Sequence, residues 1–396
     1  MRLPTYNDLS KEQDNVYLKA PLSGAILVSG PPGSGKTVMA FYRADTVAKQ
    51  GHQPTIVMFN HALEQYTRAV PDGLNDLEEG RTATFFNWLR GWWGHVFGGQ
   101  WVPQVAPYRP NWPEMQQRLL SDDRKLKNAI AQFGHLIVDE GQDFASGFYD
   151  LASCILLAGK GQSVSLAVFA DENQRISQDR NSTIAQIERS LLIRKEHHYR
   201  LTRNYRNTKE IAAAAACFYA GLPGGIPQLP ETSGPKPKVT KTADISDSVA
   251  QIVKFVVSND DLEVAVFLPN KNLRKKYVNR LKSQIGKQVD DVCVQVYEGD
   301  GDAEHLSFDE EGTVTVLCSH SAKGLEFDAV FIPELQQYMV DAGNEQATKM
   351  MLYVVSSRAR KHLHFLYSAD TRDEVPLLEY LLRKDDVVEW ADGKKK

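Results

Sequence analysis

Ala25-Ile-Leu-Val-Ser29-Gly30-Pro-Pro-Gly33-Ser34-Gly35-Lys36-Thr37 is the stretch that decides the fold. A short apolar run leads straight into a glycine-rich turn. The turn leads into the helix-periodic run VMAFYRADTVA from Val38. Strand, GxxxxGK[ST], helix is the context of a phosphate-binding loop. Its glycines let backbone N–H groups turn inward onto phosphate oxygens, and the helix N-terminus adds partial positive charge. Lys36 suits the β- and γ-phosphates, and Thr37 suits magnesium. Gly30, Gly33, Ser34, Gly35, Lys36 and Thr37 are therefore candidate ligands of ATP and Mg2+.

Working outward, short apolar runs recur between helical stretches. AILVS at Ala25, TIVMF at Thr55, HLIVD at His135 and SLAVFA at Ser165 form one series. VAVFL at Val264, VCVQVY at Val292, TVTVL at Thr313, AVFI at Ala329 and HLHFLY at His362 form a second. Strands alternating with helices predict parallel sheets joined by right-handed crossovers. Two series predict an α/β protein of two lobes. The Pro/Gly-rich stretch from Ala220 to Lys241 reads as a linker. The Trp- and Pro-rich stretch from about 88 to 130 reads as a small insertion in the first lobe.

The chain has 396 residues, enough for two or three domains with buried cores. Its 46 basic and 50 acidic residues give a net charge of −4. That excludes a protein that coats nucleic acid by bulk charge but allows a local basic groove. No apolar run approaches the roughly 18 residues needed to cross a membrane, and the start MRLPTYNDLSKEQ lacks an apolar leader. The expectation is a cytoplasmic protein with no membrane contact. Cys154, Cys217, Cys293 and Cys318 are widely spaced, which fits reduced thiols rather than a zinc site or disulfides.

HLIVD ends in Asp139-Glu140-Gly-Gln142-Asp143. A P-loop enzyme needs one carboxylate to hold magnesium and another to orient the attacking water. Asp139 fits the first role and Glu140 the second. DEGQD also resembles the DExQD box of superfamily 1 helicases, the UvrD/Rep/PcrA group.

The resemblance extends along the chain through further boxes in the family's order. LSKEQ, ending at Gln13, resembles the Q motif, which implies that Gln13 reads adenine. FNHAL from Phe59 resembles motif Ia and TFFNW from Thr84 motif Ib. The residues implied to touch a nucleic-acid strand are Asn60, His61, Thr84 and Phe85, with core packing the competing reading for aromatics. FADENQRI resembles motif III, whose Gln174 would sense the γ-phosphate. LTRNYR resembles motif IV, in which Arg206 would reach that phosphate. CSHSAKGLEF resembles motif V, with Gly324 and Glu326 toward the nucleotide and His320 toward the strand. YVVSSRA resembles motif VI, with Arg358 as an arginine finger.

The resemblance implies two RecA-like P-loop NTPase lobes, 1–210 with the short 88–130 insertion, and 211–396. It implies an ATPase with Glu140, Gln174, Arg206 and Arg358 in catalysis, acting as a translocase or helicase on single-stranded DNA, or RNA, in the 3′-to-5′ sense. It also implies a nucleotide that glues the lobes together until hydrolysis releases them.

The chain departs from the family at several points. Stacking aromatics of motif III are replaced by Ser177 and Asp179. Base stacking is worth about 1–3 kcal/mol per base, so the grip on bases is reduced. Tyr205 or the Trp88–Trp93 cluster would compensate unless those rings belong to the core. Cys318 replaces a Thr, and Lys349 and Met350 replace an Arg pair. No stretch is long enough for the large 2B insertion. These losses support a second reading, an ATP-gated module that regulates a protein partner such as a nuclease. The basic run from Lys271 to Lys282, with Leu273, Tyr277, Leu281 and Ile285 on one face, reads as a solvated helix.

Overall fold

The apolar runs of the first half become strands of one sheet in a computed structural model. The structure describes residues 6–58, 82–171, 181–221, 226–289, 292–297, 306, 310–321, 324–340, 343–382 and 386–391. Two compact units divide the chain, Met1–Thr202 and Arg203–Lys396.

The first unit runs α1 (Lys11–Lys19), β1 (Gly24–Ser29), α2 (Lys36–Lys49), β2 (Pro54–Met58) and β3 (Thr82–Thr84). It continues with α3 (Phe85–Val96), the hairpin β4 (Gln104–Ala106) and β5 (Arg109–Pro110), α4 (Trp112–Leu120) and α5 (Asp123–Phe133). β6 (His135–Val138), α6 (Ser146–Ala158), β7 (Ser165–Ala170), α7 (Ile184–Ser190) and β8 (His198–Arg200) complete it. Among the described residues the sheet order is β3-β2-β6-β7-β1-β8, and every pairing is parallel. Helices cover such sheets on both faces, so central strands are buried on both sides. All four residues of β6 and all six of β7 are buried accordingly.

β7 lies between β1 and β6. The phosphate loop after β1 and DEGQD after β6 therefore leave the same carboxyl edge, one strand apart. That edge is where open α/β sheets carry their ligands.

The tryptophan-rich stretch is not a separate body. α3 turns Phe85, Leu89, Trp92, Trp93 and Val96 inward, and these join the core of the first unit with Phe144, Phe148 and Leu166. Trp92 Nε1 donates to Ala129 O at 3.2 Å, fastening α3 to α5.

The second unit runs α8 (Lys209–Ala215), β9 (Lys238–Lys241), α9 (Ile245–Val257), β10 (Val264–Leu268), α10 (Lys271–Ile285) and β11 (Cys293–Tyr297). β12 (Thr313–Cys318), β13 (Phe327–Ile332), α11 (Glu345–Ser356), β14 (Ala359–Tyr367), α12 (Leu377–Leu382) and β15 (Glu389–Trp390) follow. Its order is β11-β12-β10-β13-β14-β9-β15, again parallel throughout. α10 is the basic run; it buries Leu273, Tyr277, Leu281 and Ile285 as its spacing predicts.

The two parallel sheets realise the expected α/β class. The unit boundary falls before Arg203 rather than at 210/211, because Arg206 and Asn207 bond to the 357–359 turn. The Pro/Gly-rich stretch is a correction to the sequence reading. Its residues 226–241 are tethered inside the second unit, through Lys209 N to Thr232 O at 2.8 Å and Gly234 N to Glu210 Oε2 at 2.8 Å, and they end in β9. Composition marks a low helix propensity there, not a loose connection. No helix among the described residues is long and apolar enough to cross a membrane.

Candidate nucleotide site

The phosphate loop is shaped by close approaches that only glycine permits. Gly35 has φ +83°, and a Cβ on it would stand 2.5 Å from Gln13 Nε2. A Cβ on Gly30 would stand 2.6 Å from Ser34 Oγ and 2.8 Å from Leu201 O. Gly33 also has positive φ, +77°. α2 starts at Lys36 with no side-chain cap on its first N–H groups. Uncapped N–H donors and the helix dipole together favour an anion at this end.

Lys36 is buried at 6% exposure. Its Nζ donates to Gly30 O at 2.7 Å and Pro31 O at 2.9 Å, and lies 3.3 Å from Asp171 Oδ2. An ammonium has three protons, and these partners use all of them. Thr37 Oγ1 donates to Asp139 Oδ2 at 2.7 Å. A hydroxyl and a carboxylate side by side are hard oxygen donors of the kind magnesium takes. Burial, and the Glu140 carboxylate beside it, push the Asp139 carboxyl up to about 7, against the pull of Thr37, the Glu140 N–H and Lys36. A bound cation would favour the charged form, so the donor set fits a divalent metal.

Glu140 takes a left-handed conformation, φ 52° and ψ 44°. That costs a non-glycine residue about 1–2 kcal/mol, so neighbours must hold it. Gln142 does so. Its Nε2 donates to Glu140 Oε2 at 2.6 Å, while its Oε1 accepts from Asp171 N at 2.8 Å. Glu140, Gln142, Asp171 and Lys36 thus form one hydrogen-bonded circuit across the carboxyl ends of β6, β7 and β1. Asp143 Oδ1 accepts from Asn181 Nδ2 at 3.1 Å, bracing the end of the acidic box.

Gln13 is buried against the loop. It closes a capping box with Ser10 at the start of α1, and its Nε2 donates to Ser34 O at 3.4 Å. Among the described residues its carboxamide is committed to these backbone and cap contacts.

In the second unit Arg206 forms an ion pair with Glu326, and its Nη1 reaches Ser357 O at 3.5 Å. Burial raises the Glu326 carboxyl, but Arg206 in contact, with Arg360 and Arg358 beyond, outweighs it. The carboxyl is held below its ordinary range. Asn204 Oδ1 accepts from the backbone N–H groups of Arg206 and Asn207 at 3.0 and 3.2 Å, fixing the NYRN turn. Asn207 Nδ2 then donates to Ser357 O at 3.0 Å and to Ala359 O. Arg358 is buried, at 1% exposure, in that 357–359 turn. Gly324 has φ +77°.

Of the residues proposed to touch a strand, Asn60 and His61 lie outside the described residues, as does Gln174. His320 stands in a short 3-10 turn after β12, where partial desolvation of its ring, and then the charges of Lys271 and Arg274, lower its basicity. Thr84 and Phe85 are corrected by the structure: both are buried, and the Phe85 ring packs against Phe144 and Phe148. An aromatic at the first position of an amphipathic helix faces the core, out of reach of a strand. Trp92 and Trp93 are core residues for the same reason, whereas Tyr205 is 44% exposed. Sequence reasoning missed Gln142 as the brace of Glu140, Asp171 as the partner of Lys36, and Asn207 as the tie to the 357–359 turn. The alternation of acid and amide in DEGQD was the available signal for the first.

Residues 299–370 match the family model described as the UvrD-like helicase C-terminal domain. This span holds β12, β13, α11 and β14 with Gly324, Glu326 and Arg358, so the similarity falls on the part of the second unit that carries them. A protein of Acanthamoeba polyphaga mimivirus, whose name gives it provisionally as an ATP-dependent DNA helicase, is 27% identical over 255 residues. The match covers 59% of this chain and 34% of the relative, so the chain spans about a third of that relative's length. A solved C-terminal domain of a possible DNA helicase from Lactobacillus plantarum is 23% identical, with 47% of this chain and 98% of that one covered and a TM-score of 0.35.

Proposed function

We propose that this chain is an ATP-hydrolysing motor of the UvrD-like kind, stimulated by single-stranded nucleic acid and moving along single-stranded DNA. The observation that carries the reading is the circuit at the carboxyl edge of the first sheet. It joins a phosphate-loop lysine, a Thr–Asp pair suited to a metal and a braced glutamate. The helicase-family match in the second unit supports the same reading.

In this proposal the uncapped start of α2 and Lys36 receive the β- and γ-phosphates. Thr37 and Asp139 hold magnesium. The bound ion would neutralise the phosphate oxygens on which charge builds during transfer. Glu140, kept in place by Gln142, accepts a proton from the attacking water and aims it. The roles of Arg206 and Arg358 as cations on the transferred group, of Gln174 as γ-phosphate sensor, and of Gln13, Gly324 and Glu326 toward the nucleoside rest on the resemblance, as does a 3′-to-5′ direction.

The test is phosphate release measured with and without single-stranded DNA or RNA. Lys36→Ala and Glu140→Ala are expected to abolish turnover, and wild-type rates in either variant would refute the site assignment. DNA is expected to raise the wild-type rate. A rate indifferent to every nucleic acid would favour an ATP-gated module that acts on a protein partner such as a nuclease.

A further inference from the structure

The outward face of α3 and the chain just after it enclose an open groove of about 480 Å3. Helical spacing sorts the residues of α3. Phe85, Leu89, Trp92, Trp93 and Val96 go inward, while Asn87, Arg90, Gly91, Gly94 and His95 line the groove. Trp101 stands at its wall, 78% exposed.

Three observations point to a ligand. First, no ring packs against the Trp101 indole among the described residues, so a large apolar face is open to water. Second, the Arg90 guanidinium and the Asn87 carboxamide make no hydrogen bond or ion pair among the described residues, and both are exposed. Third, a Cβ at Gly91 or Gly94 would meet nothing within 4 Å. Mid-helix glycine is disfavoured relative to alanine, and here no contact among the described residues requires it. Bare backbone on that floor allows a flat ligand to come close. An aromatic face, a free guanidinium and a free amide match the face of a base, a phosphate and a base edge in turn. The volume lies within the roughly 300–1,000 Å3 of ligand sites.

We propose that this groove binds a short segment of single-stranded DNA, with a base stacked on Trp101 and a phosphate on Arg90. The inference rests on the motor reading above and adds to it. The grip is supplied by the exposed turns of the helix whose N-cap, Thr84, and first residue, Phe85, are buried.

The experiment titrates the full chain against a fluorescently labelled oligothymidylate and follows anisotropy. Trp101→Ala is expected to weaken binding about 5- to 100-fold, and Trp101→Phe to restore most of it. Arg90→Ala should weaken binding and lower the slope of log affinity on log salt by about one. Gly94→Leu should fill the groove and weaken binding without lowering the thermal midpoint, since nothing lies within 4 Å of the added Cβ. Wild-type affinity in both Trp101→Ala and Gly94→Leu overturns the groove and leaves the ATPase reading standing, because that reading is tested by turnover in Lys36→Ala. Tighter binding of an oligouridylate than of the oligothymidylate overturns the DNA assignment. No binding of either strand by the wild-type chain overturns the groove together with the nucleic-acid part of the motor reading.

Discussion

Gln142 shows how much of a site one buried amide can set. Its two ends face different partners, a carboxylate and a backbone N–H, so the carboxamide has one sensible orientation. Gln142→Ala is expected to cut kcat about 10-fold or more while KM for ATP stays within about threefold, since general-base action is worth about 10²–10⁴. Steady-state kinetics check this, and an unchanged kcat removes the brace from the argument. DEGQD was legible as a box because its residue types are distinctive. The direction of the Gln142 amide was not, because it depends on the end of β7, some thirty positions away by the roughly linear count of the chain. Glu263 makes a different point. It is 2% exposed, and burial raises its carboxyl to about 8 against Arg360, whose Nη2 lies 3.1 Å away. A raised acid means the folded state holds the proton more tightly than the unfolded chain. The stability this group contributes is therefore full near pH 4 and falls as pH rises toward 8. Glu263→Gln lacks that fall. Its thermal midpoint relative to wild type should rise between pH 5 and pH 8.5, and a flat or falling difference contradicts the assignment.

At the scale of elements, α3 concentrates what the sequence disclosed and what it hid. A 3.6-residue period explains why Trp92 and Trp93 are buried, yet periodicity alone does not tell a helix in the core from one at a strand-binding surface. Phe85 is the instructive case. Removing so buried a ring would cost about 3–5 kcal/mol, so Phe85→Ala would report on folding and not on nucleic acid. The two glycines allow a cleaner test. Gly91→Ala and Gly94→Ala should each stabilise the chain by about 0.5–1 kcal/mol, raising the thermal midpoint by a few degrees at about 2–4 °C per kcal/mol. A lower midpoint in calorimetry would mean that the glycines serve internal packing after all. The strands were the most readable elements. Each apolar run named from the sequence is a strand, because central strands of parallel sheets are buried on both faces and so read as continuous apolar stretches.

At the scale of the whole molecule, each unit has its own parallel sheet and hydrophobic core. The complete set of Lys36, Thr37, Asp139, Glu140, Gln142 and Asp171 belongs to Met1–Thr202. A fragment of residues 1–202 is therefore expected to bind ATP with magnesium. It should turn over at least about 10-fold more slowly than the full chain, because it lacks Arg206 and Arg358. A fluorescent ATP analogue and a phosphate-release assay check the two halves of this prediction separately. Full-rate turnover by the fragment would remove both arginines from catalysis. The boundary itself was poorly legible, since Pro and Gly mark where helices are weak, whereas Asn207 marks where the chain is fastened, and its bonds to residues 357–359 connect positions far apart in sequence.

The clasp on Lys36 has a consequence for how an anion gains admission. The ammonium is engaged on three sides, so a phosphate arrives by substitution rather than by addition. Loose anions that bring no further contacts make a poor trade, which guards the loop against inorganic ions. A nucleotide that succeeds would compete with Gly30 O, Pro31 O or Asp171 for the ammonium. The backbone N–H of Asp171 is the one Gln142 holds. A phosphate on Lys36 would therefore compete at the end of β7, alongside the residue that steadies Glu140.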